Sequence, residues 1–421
     1  MSGLAALLAI LHIIDITSVH AQAPEVKLGL QKIFGEQKEE KIQLGIIDDP
    51  DASPEAQKIL DTARWDLSVI GSFAISDVAT AEVKYFQGPI LDLKTLKSSK
   101  GTLVSLRILT GSDVLASKNL SDTSGDTHRL GHRIATFTLK TLTGEEGFFL
   151  SKIVFALKQK NRKEIWIADW DGKNAVQLTD WKTLSLAPAA DQAGTKIAFT
   201  SYKDGNPDLY LYDVLKKSFK VLSAQQGLNT SAAFDPRTEG VVATLSRGKD
   251  PNLYMLTMSG AINKQLTRDS GIDTSPVFSP NAEEVAFTTD RSGNPQIFVM
   301  SRDGSNVRRL TYGFFWADNA DWSGTGSALA FSAKYKREQL FDIYVTDPLA
   351  MRFVKLTGDG GNEDPSFSPD GRFLAFTSRR NGKWEIFIKS VTSSTADIPV
   401  ISFKNADAVE PVWTRDPNAS E

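Results

Sequence analysis

The 421-residue sequence contains no cysteine. Disulfide bonds, thiolate metal sites and thiol nucleophiles are therefore excluded together, and burial of a core must stabilise the fold. Basic residues are not in excess either, because 48 lysines and arginines are balanced by 51 aspartates and glutamates, a net charge of −3. Without a positive field, the chain is not expected to bind nucleic acid. No stretch reaches the roughly 20 apolar residues that a membrane-spanning helix requires, so no integral membrane span is expected.

Histidine is also scarce, with four in the chain. His12 and His20 lie near the N-terminus, and His128 and His132 lie four residues apart in a predicted helix. A histidine-based zinc or manganese centre, or a histidine pair in acid–base catalysis, would have to use this second pair. Asp169-Trp170-Asp171-Gly172 could suggest calcium, but without further ligands it is most simply a hairpin turn. The sequence therefore predicts no metal, no cofactor and no catalytic residue.

The N-terminal stretch has the features of an export signal. From Leu4 to Ile14 the sequence LAALLAILHII is apolar apart from His12, and Val19-His20-Ala21 has small residues at both ends. This order is typical of a secretory signal peptide and its cleavage site. The alternative is a buried amphipathic helix, but the stretch has no polar face. We therefore predict that residues 1–21 are removed on export.

The strongest signal in the sequence is internal repetition. An apolar tripeptide recurs at spacings of 44, 44, 44, 44 and 45 residues, beginning at Ile153, Ile197, Val241, Val285, Leu329 and Leu374. A second apolar tripeptide follows each copy, as in Ile165-Trp166-Ile167, and a pair such as Leu178-Thr179 closes each unit. Turn signals such as Asp303-Gly304 separate these runs. Each unit therefore predicts short antiparallel strands joined by hairpins.

Four short strands every 44 residues are typical of one β-propeller blade, because so small a sheet must stack on neighbours to bury both faces. The first unit, near Ser151, lacks an opening strand, whereas residues 410–414 resemble an opening strand that has no unit of its own. We predict that residues 411–414 complete the first blade and close a six-bladed ring over residues 147–421. The alternative is a frayed tail after an open array.

Residues 22–146 lack this period and predict a separate α/β domain. The local patterns are alternating strands at 26–30 and 42–46, a capped amphipathic helix from Ser53-Pro54 to Leu67, a hairpin around 110–113 and a second helix at 128–142. The predicted fold class is thus mainly β, a six-bladed β-propeller preceded by a small α/β domain.

Two repeat strings, Ser275-PVFSPNAEEVAFTTDRSGNPQIFVM and Pro365-SFSPDGRFLAFTSRRNGKWEIFIKS, resemble the propeller repeats of the TolB family, the periplasmic component of the Tol-Pal system. The order of features resembles that family over the whole mature chain: an export signal, an α/β domain, Gly131-His132 followed by Leu142-Thr143-Gly144, and a first blade entered at Lys152 without its opening strand. One departure is the sequence of residues 91–97, which suggests that a strand of the first domain is shortened or missing.

The resemblance implies a monomeric, non-catalytic scaffold in the periplasm. It would bind a peptidoglycan-associated lipoprotein (Pal-like) and an inner-membrane Tol protein (TolA-like), and would support outer-membrane integrity and envelope constriction at cell division. The mature N-terminus, Gln22, Ala23, Pro24, Glu25 and Val26, is a short, weakly anchored segment suited to adding an edge strand to the inner-membrane partner.

The lipoprotein is expected on one face of the ring. In a blade, the loops between the second and third strands and the connections to the next blade share one face, here called the loop face. Its predicted contacts are Asn229, Arg247, Asp273, Thr274, Arg291, Phe315, Trp316, Asn319, Asp364, Arg379 and Glu410. Aromatic anchors within a polar rim are the composition of a binding patch. The alternative for the aromatic run Phe314-Phe315-Trp316 is packing between blades, and for each arginine it is a salt bridge or a solvated loop.

Two other classes of function were compared with this scaffold. A peptidase needs a Gly-x-Ser-x-Gly elbow, which the sequence lacks, since Ser323-Gly324-Thr325-Gly326 has its glycines on the wrong side. A metal-dependent lyase would need imidazole ligands in the channel, and residues 151–421 contain no histidine. A propeller that senses a glycan or small molecule through the loop face is the alternative that stays open.

Overall fold

The structure is a computed structural model that describes residues 40–419, apart from 50, 100, 239, 248–249, 359, 381 and 393–395. The predicted signal peptide, the segment 22–26 and the strand at 26–30 therefore lie outside the described residues. Within the described ranges, no helix has both the length and the apolar character to cross a membrane.

The N-terminal domain consists of a mixed sheet and two helices. Its elements are β1 (Ile42–Asp48), α1 (Pro54–Val69), β2 (Phe73–Ala79), β3 (Pro89–Ser98), β4 (Gly101–Thr110), β5 (Asp113–Asp122) and α2 (Thr127–Thr143). The sheet order is β2-β1-β3-β4-β5, in which β1 runs parallel to β2 and β3 and the other pairs are antiparallel. The strand predicted at 42–46, the two helices and the hairpin are confirmed.

Local signals begin and end the two helices. Ser53 Oγ accepts a hydrogen bond from the backbone N–H of Ala56 at 3.2 Å, and Pro54 follows in the first turn of α1. Asp126 caps α2 in the same way through the N–H of Arg129 at 3.0 Å. Gly144 ends α2 in the left-handed conformation, with φ of 75°, which glycine adopts without a steric penalty.

The expectation of a shortened strand at residues 91–97 is wrong. Strand β3 has ten residues and pairs with β4 along its whole length. Asp92 interrupts the apolar pattern of the sequence, but its carboxylate accepts a hydrogen bond at 2.9 Å from the Nε of Arg107, which lies opposite it on β4. A charged residue is tolerated in the strand because its partner lies on the adjacent strand.

In the described part of the chain, six four-stranded antiparallel sheets form the propeller. In each blade the strands are given from the innermost outward, and blade 1 consists of β29 (Asp407–Arg415), β6 (Ser151–Gln159), β7 (Arg162–Asp169) and β8 (Val176–Gln177). The next two blades are blade 2, with β9 (Ser185–Ala190), β10 (Lys196–Ser201), β11 (Asp208–Asp213) and β12 (Ser218–Ser223), and blade 3, with β13 (Asn229–Phe234), β14 (Gly240–Leu245), β15 (Asn252–Thr257) and β16 (Ile262–Gln265). The last three are blade 4, with β17 (Asp273–Phe278), β18 (Glu284–Thr289), β19 (Gln296–Ser301) and β20 (Arg308–Arg309); blade 5, with β21 (Trp316–Trp322), β22 (Leu329–Lys334), β23 (Asp342–Thr346) and β24 (Phe353–Lys355); and blade 6, with β25 (Asn362–Phe367), β26 (Phe373–Arg380), β27 (Lys383–Ser390) and β28 (Ile398–Ile401).

The C-terminal strand closes the ring. Strand β29, which contains residues 411–414, pairs with β6 so that Trp413 lies opposite Ile153. It also contacts β25 and β9, the innermost strands of the blades on either side. The Trp413 side chain is buried, its Nε1 donates a hydrogen bond to Ser151 Oγ at 2.7 Å, and its ring meets Phe148 edge-on. The last strand of the chain is therefore part of the core.

The recurring Leu-Thr pair has a structural cause. In four blades the threonine hydroxyl accepts a hydrogen bond at 2.9 Å from a backbone N–H of the third strand. The pairs are Thr179 with Ile165, Thr267 with Leu253, Thr311 with Ile297 and Thr357 with Ile343. The hydroxyl thus satisfies a buried donor where the chain leaves the blade, while the preceding leucine packs in or against the core.

Replacing Trp413 with alanine is expected to lower the free energy of unfolding by about 3–5 kcal/mol, because a large side chain is lost where the first and last strands meet. Urea or thermal unfolding measures the change. Arg415→Ala, at the exposed end of the same strand, is the control and should shift stability by less than about 0.5 kcal/mol. A Trp413→Ala protein as stable as the wild type would show that β29 does not hold the ring closed.

Candidate functional site

The two faces of the ring differ in what covers them. The N-terminal domain packs against the face formed by the turns between strands one and two and between strands three and four, here called the turn face. Trp170, in the turn after β7, stacks on Trp65 of α1 with ring centroids 4.8 Å apart. Arg372, in the turn before β26, forms an ion pair with Glu145, just after α2. No described residue of the N-terminal domain makes such a contact with the loop face, so the described part of that domain leaves this face uncovered.

The open loop face displays large side chains. Its exposed apolar and aromatic residues include Leu184, Tyr202, Ile272, Tyr312, Tyr335 and Leu340. A cleft of about 300 Å³ in blade 5 is lined in part by Lys334, Tyr335, Gln339, Leu340 and Lys355. None of these residues was singled out from the sequence. The exposed residues could have been found from their position in the repeat, because each follows the second strand of a blade or precedes an opening strand.

The predicted arginines at positions 247 and 379 are exposed on this face. The guanidinium of Arg247 lies 5.9 Å from the ring centre of Tyr254, and that of Arg379 lies 5.9 Å from the ring centre of Trp384. Arg247 belongs to the loop between the second and third strands of blade 3, as the repeat predicts. Arg379 does not lie in a loop, because β26 extends to Arg380 and pairs Arg379 with Trp384 on β27. Each arginine presents a hydrogen-bonding group to solvent beside an aromatic ring, a combination suited to binding a protein partner.

The aromatic run at 314–316 divides between core and surface. Phe314 is buried within blade 5, where its ring lies 5.6 Å from that of Phe331. Phe315 and Trp316 are half-buried, and the Lys334 ammonium lies 6.0 Å from each of their ring centres. The alternative of core packing therefore holds for Phe314, whereas Phe315 and Trp316 keep part of their surface accessible.

Three other predicted contacts point inward. Asn229 and Asp273 are completely buried at the first positions of β13 and β17, contrary to the expectation that the loop face displays them. The Asn229 Oδ1 accepts hydrogen bonds from Ser223 Oγ at 2.7 Å and from the Gln225 N–H at 2.9 Å. Thr274 is half-buried. Asn229 and Asp273 therefore hold the first residue of an opening strand against the connection that precedes it.

Arg291 forms a salt bridge within blade 4. Its guanidinium lies 2.7 Å from Asp269 Oδ2 and 2.9 Å from the buried Asp273 Oδ1. The same group stacks over Phe287 and Phe298, with its carbon 5.2 Å and 5.3 Å from the ring centres. Burial raises the pKa of Asp273, and hydrogen bonds that include one from Arg291 oppose this rise. The structure therefore supports the salt-bridge alternative for this arginine.

Arg291→Ala is expected to lower the free energy of unfolding by about 3 kcal/mol, because it leaves the buried Asp273 without its cation and exposes two aromatic rings. Arg247→Ala, which removes an exposed guanidinium from the matching loop of blade 3, is the control and should cost less than about 0.5 kcal/mol. Chemical unfolding at pH 7 compares the two variants. Equal stabilities would mean that the Arg291 pair contributes nothing to the fold.

The remaining predicted contacts line the channel. Each opening strand contains a bulge with one residue at a φ between 48° and 55°, and these residues are Ala187, Ser231, Ser275, Asn319, Asp364 and Glu410. Asn319 bridges two neighbours, since its Oδ1 accepts from Ser275 Oγ at 2.8 Å and its Nδ2 donates to Asp364 Oδ1 at 2.6 Å. Glu410 accepts from the Ala187 N–H at 2.8 Å. The bulged residues thus join adjacent blades around the channel.

Carboxyl groups cluster on one side of this channel. Burial raises the pKa of Asp364 from an ordinary 3.8 to about 7, and the negative charges of Glu410 and Glu363 add to the rise. Burial likewise raises the pKa of Asp318 and, to about 6, that of Asp321. Lys163 offsets part of the charge through an ion pair with Glu410 at 2.6 Å. Near neutral pH the channel is therefore only partly ionised.

Asp364→Asn should stabilise the protein at pH 8 by an amount on the order of 2 kcal/mol, and by much less at pH 4.5. The folded protein keeps a proton on Asp364 where the unfolded chain has released it, so stability falls as the pH rises from about 4 to about 7. Asparagine mimics the protonated form and can still accept from Asn319. Thermal unfolding from pH 4.5 to 8 measures the difference.

The control for this experiment is Asp113→Asn, which removes an exposed carboxylate from the β4–β5 hairpin. Its stability should follow the pH profile of the wild type. A stability difference between Asp364→Asn and the wild type that does not change with pH would contradict the burial of a protonated Asp364.

Comparison with known proteins identifies the propeller. Residues 139–341 match the family model described as the TolB beta propeller domain. These residues, just under half of the chain, are similar to TolB β-propeller domains. This confirms the resemblance that the repeat strings suggested.

Curated relatives and a solved structure agree with this assignment. "Tol-Pal system protein TolB" of Ruegeria sp. is 30% identical over 201 residues, 42% of this chain and 46% of that protein. "Protein TolB homolog" of Chlorobaculum tepidum is 33% identical over 126 residues, 30% of this chain and 26% of that protein. The matches thus span less than half of either relative. The crystal structure of TolB from Acinetobacter baumannii superposes with a TM-score of 0.78 over 90% of this chain and 97% of that chain, at 22% identity, which shows that the TolB-like chain shares its fold.

Proposed function

We propose that this TolB-like chain is a non-catalytic scaffold of a periplasmic Tol-Pal-type system with two binding surfaces. The loop face binds a peptidoglycan-associated lipoprotein, and residues 22–26 bind an inner-membrane Tol protein of the TolA type. The system is suggested by the relatives that carry the name Tol-Pal system protein. The observation that carries the proposal is that the N-terminal domain covers the turn face and leaves the loop face open.

The chemistry of the loop face supports a protein partner. Tyrosine and arginine are enriched among the residues that dominate protein interfaces, and this face exposes Tyr202, Tyr312, Tyr335, Arg247 and Arg379. These residues come from several blades around the channel mouth, so a partner seated over the channel would contact more than one of them. Such a partner needs no deep pocket, because a few anchors with a polar rim are sufficient.

The placement of the two surfaces supports a linking role. The described part of the N-terminal domain packs on the turn face, so a partner that contacts this domain and a partner on the loop face would lie on opposite sides of the ring. A scaffold of this shape holds one partner on each side of the ring. Linking a lipoprotein of the outer membrane to a protein of the inner membrane would support outer-membrane integrity and the coordinated constriction of the envelope at division.

The test combines two variants with two partners. Arg247→Ala with Arg379→Ala should weaken binding of the soluble lipoprotein domain by about tenfold or more, because each exposed arginine is a candidate anchor. Deletion of residues 22–26 should abolish binding of the inner-membrane protein and leave the lipoprotein affinity unchanged. Isothermal titration calorimetry with each purified partner measures both affinities.

Lys216→Ala with Arg237→Ala removes two exposed cations from the turn face and is the matched control. It should bind both partners like the wild type. If the loop-face variant is folded and keeps full lipoprotein affinity, the loop face is not the site. If the intact protein binds neither partner, the assignment to a Tol-Pal-type system is wrong.

The blade 5 cleft favours a second candidate function, recognition of a glycan or small molecule. Its volume of about 300 Å³ and its lining by Tyr335, Tyr344 and Gln339 offer apolar and hydrogen-bonding surface to such a ligand. A glycan array distinguishes the candidates, since a sensor would bind a defined glycan and neither envelope protein.

A further inference from the structure

Four side chains that could bind a metal meet where the N-terminal domain contacts blade 1. His128 and His132 lie one turn apart on α2, and Asp169 and Asp171 lie at the end of β7 and in the following turn. One ligand atom from each of the four lies within 4.8 Å of all the others. The sequence presents the histidine pair and the aspartate pair about 40 residues apart, and only the docking of the two domains brings them together.

His132 is oriented as a metal ligand. Its Nδ1 lies 2.7 Å from Asp66 Oδ2, so the ring donates its Nδ1 proton to a buried carboxylate on α1. The imidazole is only 2% exposed, and its Nε2 has no hydrogen-bond partner among the described residues. An unsatisfied buried nitrogen is costly, whereas a carboxylate behind the far nitrogen is the arrangement that orients histidines at metal sites.

The hydrogen bonds of His128 give the same orientation. Thr62 Oγ1 donates its single proton to the Lys58 carbonyl at 3.0 Å, so it accepts a hydrogen bond from His128 Nδ1 at 3.1 Å. In a neutral ring the lone pair is then on Nε2, which lies 2.8 Å from Asp171 Oδ2. Two lone pairs at this distance repel each other unless a cation lies near both or the ring is itself protonated.

The charges around the cluster favour a cation. The carboxylates of Asp66, Asp169, Asp171 and Asp416 surround it, and the described cations that pair with them are Lys152, with Asp169 and Asp416, and Arg129, with Asp416. With both histidines neutral, these groups sum to a charge of −2. One oxygen of Asp169 is paired with Lys152, and the other accepts from Asn174 at 2.7 Å. Both carboxylate oxygens of Asp169 therefore already have a partner.

We propose that His128, His132, Asp171 and Asp169 bind one divalent transition-metal ion, preferentially Zn²⁺, which joins α2 to blade 1. Imidazole nitrogens and carboxylate oxygens are both zinc ligands, and four of them supply the tetrahedral coordination number of a closed zinc site. Calcium and magnesium prefer oxygen ligands alone, so they compete poorly here. The ion links the two domains and does not require any partner of the propeller.

The test uses the mature protein, purified with a histidine-free tag, treated with EDTA and dialysed. Isothermal titration calorimetry with Zn²⁺ should show one ion bound per chain, and zinc should raise the melting temperature. Co²⁺ serves as a spectroscopic substitute, because it absorbs visible light strongly in four-coordinate sites and quenches nearby indoles. Trp170 and Trp65 stack beside the cluster and should report its binding.

His128→Gln and Asp171→Asn should each weaken Zn²⁺ binding by about 100-fold or more, and Thr62→Val, which changes only the support of His128, by about tenfold. The matched control is Asp303→Asn, which removes a carboxylate from the equivalent turn of blade 4 and should leave zinc affinity unchanged. Thermal unfolding without metal verifies that each variant is folded. The proposal is overturned if the folded wild type binds no Zn²⁺ or Co²⁺ at micromolar concentrations, or if His128→Gln and Asp171→Asn bind zinc as the wild type does.

Discussion

The antiparallel pairing of β29 with β6 is the interaction on which the rest of the structure depends. It joins the last strand described to the first blade, so that blade 1 has four strands like the other five. It also places Trp413 against Phe148, and Phe148 packs edge-on against Trp170, which in turn stacks on Trp65 of the N-terminal domain. One continuous core therefore closes the ring and attaches the N-terminal domain to it.

This shared core explains why the molecule has two distinct faces. The residues that close the ring lie at its turn face, where they are covered by the N-terminal domain, and that domain is consequently confined to one side. The loop face keeps exposed aromatic and basic side chains. The proposed binding residues and the residues that close the ring thus lie on opposite faces of the ring, because successive connections along an antiparallel blade emerge at opposite ends of its strands.

The architecture could be predicted from the sequence because the 44-residue period, the apolar tripeptides and the missing first strand all describe local strands. The positions of several side chains could not be predicted in this way. Asn319, Asp364 and Glu410 lie at bulges, where one extra residue redirects the side chain, and an alternating pattern does not reveal a bulge. Asp273 and Arg291 look like surface residues until their ion pair is seen. The approach of His132 to Asp171 depends on how two domains dock, which no local pattern encodes.

The relative orientation of the two domains is set mainly by packing and refined by charge. Phe148, Phe149 and Trp170 are each no more than 1% exposed, and burial of one large apolar side chain is worth about 1.5–3 kcal/mol. The ion pair of Arg372 with Glu145 lies at the rim, with Glu145 about half exposed, and such pairs contribute about 0–1 kcal/mol. Losing the rim pair would therefore leave the domains together. The aromatic core would instead resist a force applied to the N-terminal domain. Because this core includes Trp413, the force would be transmitted to the strand that closes the propeller.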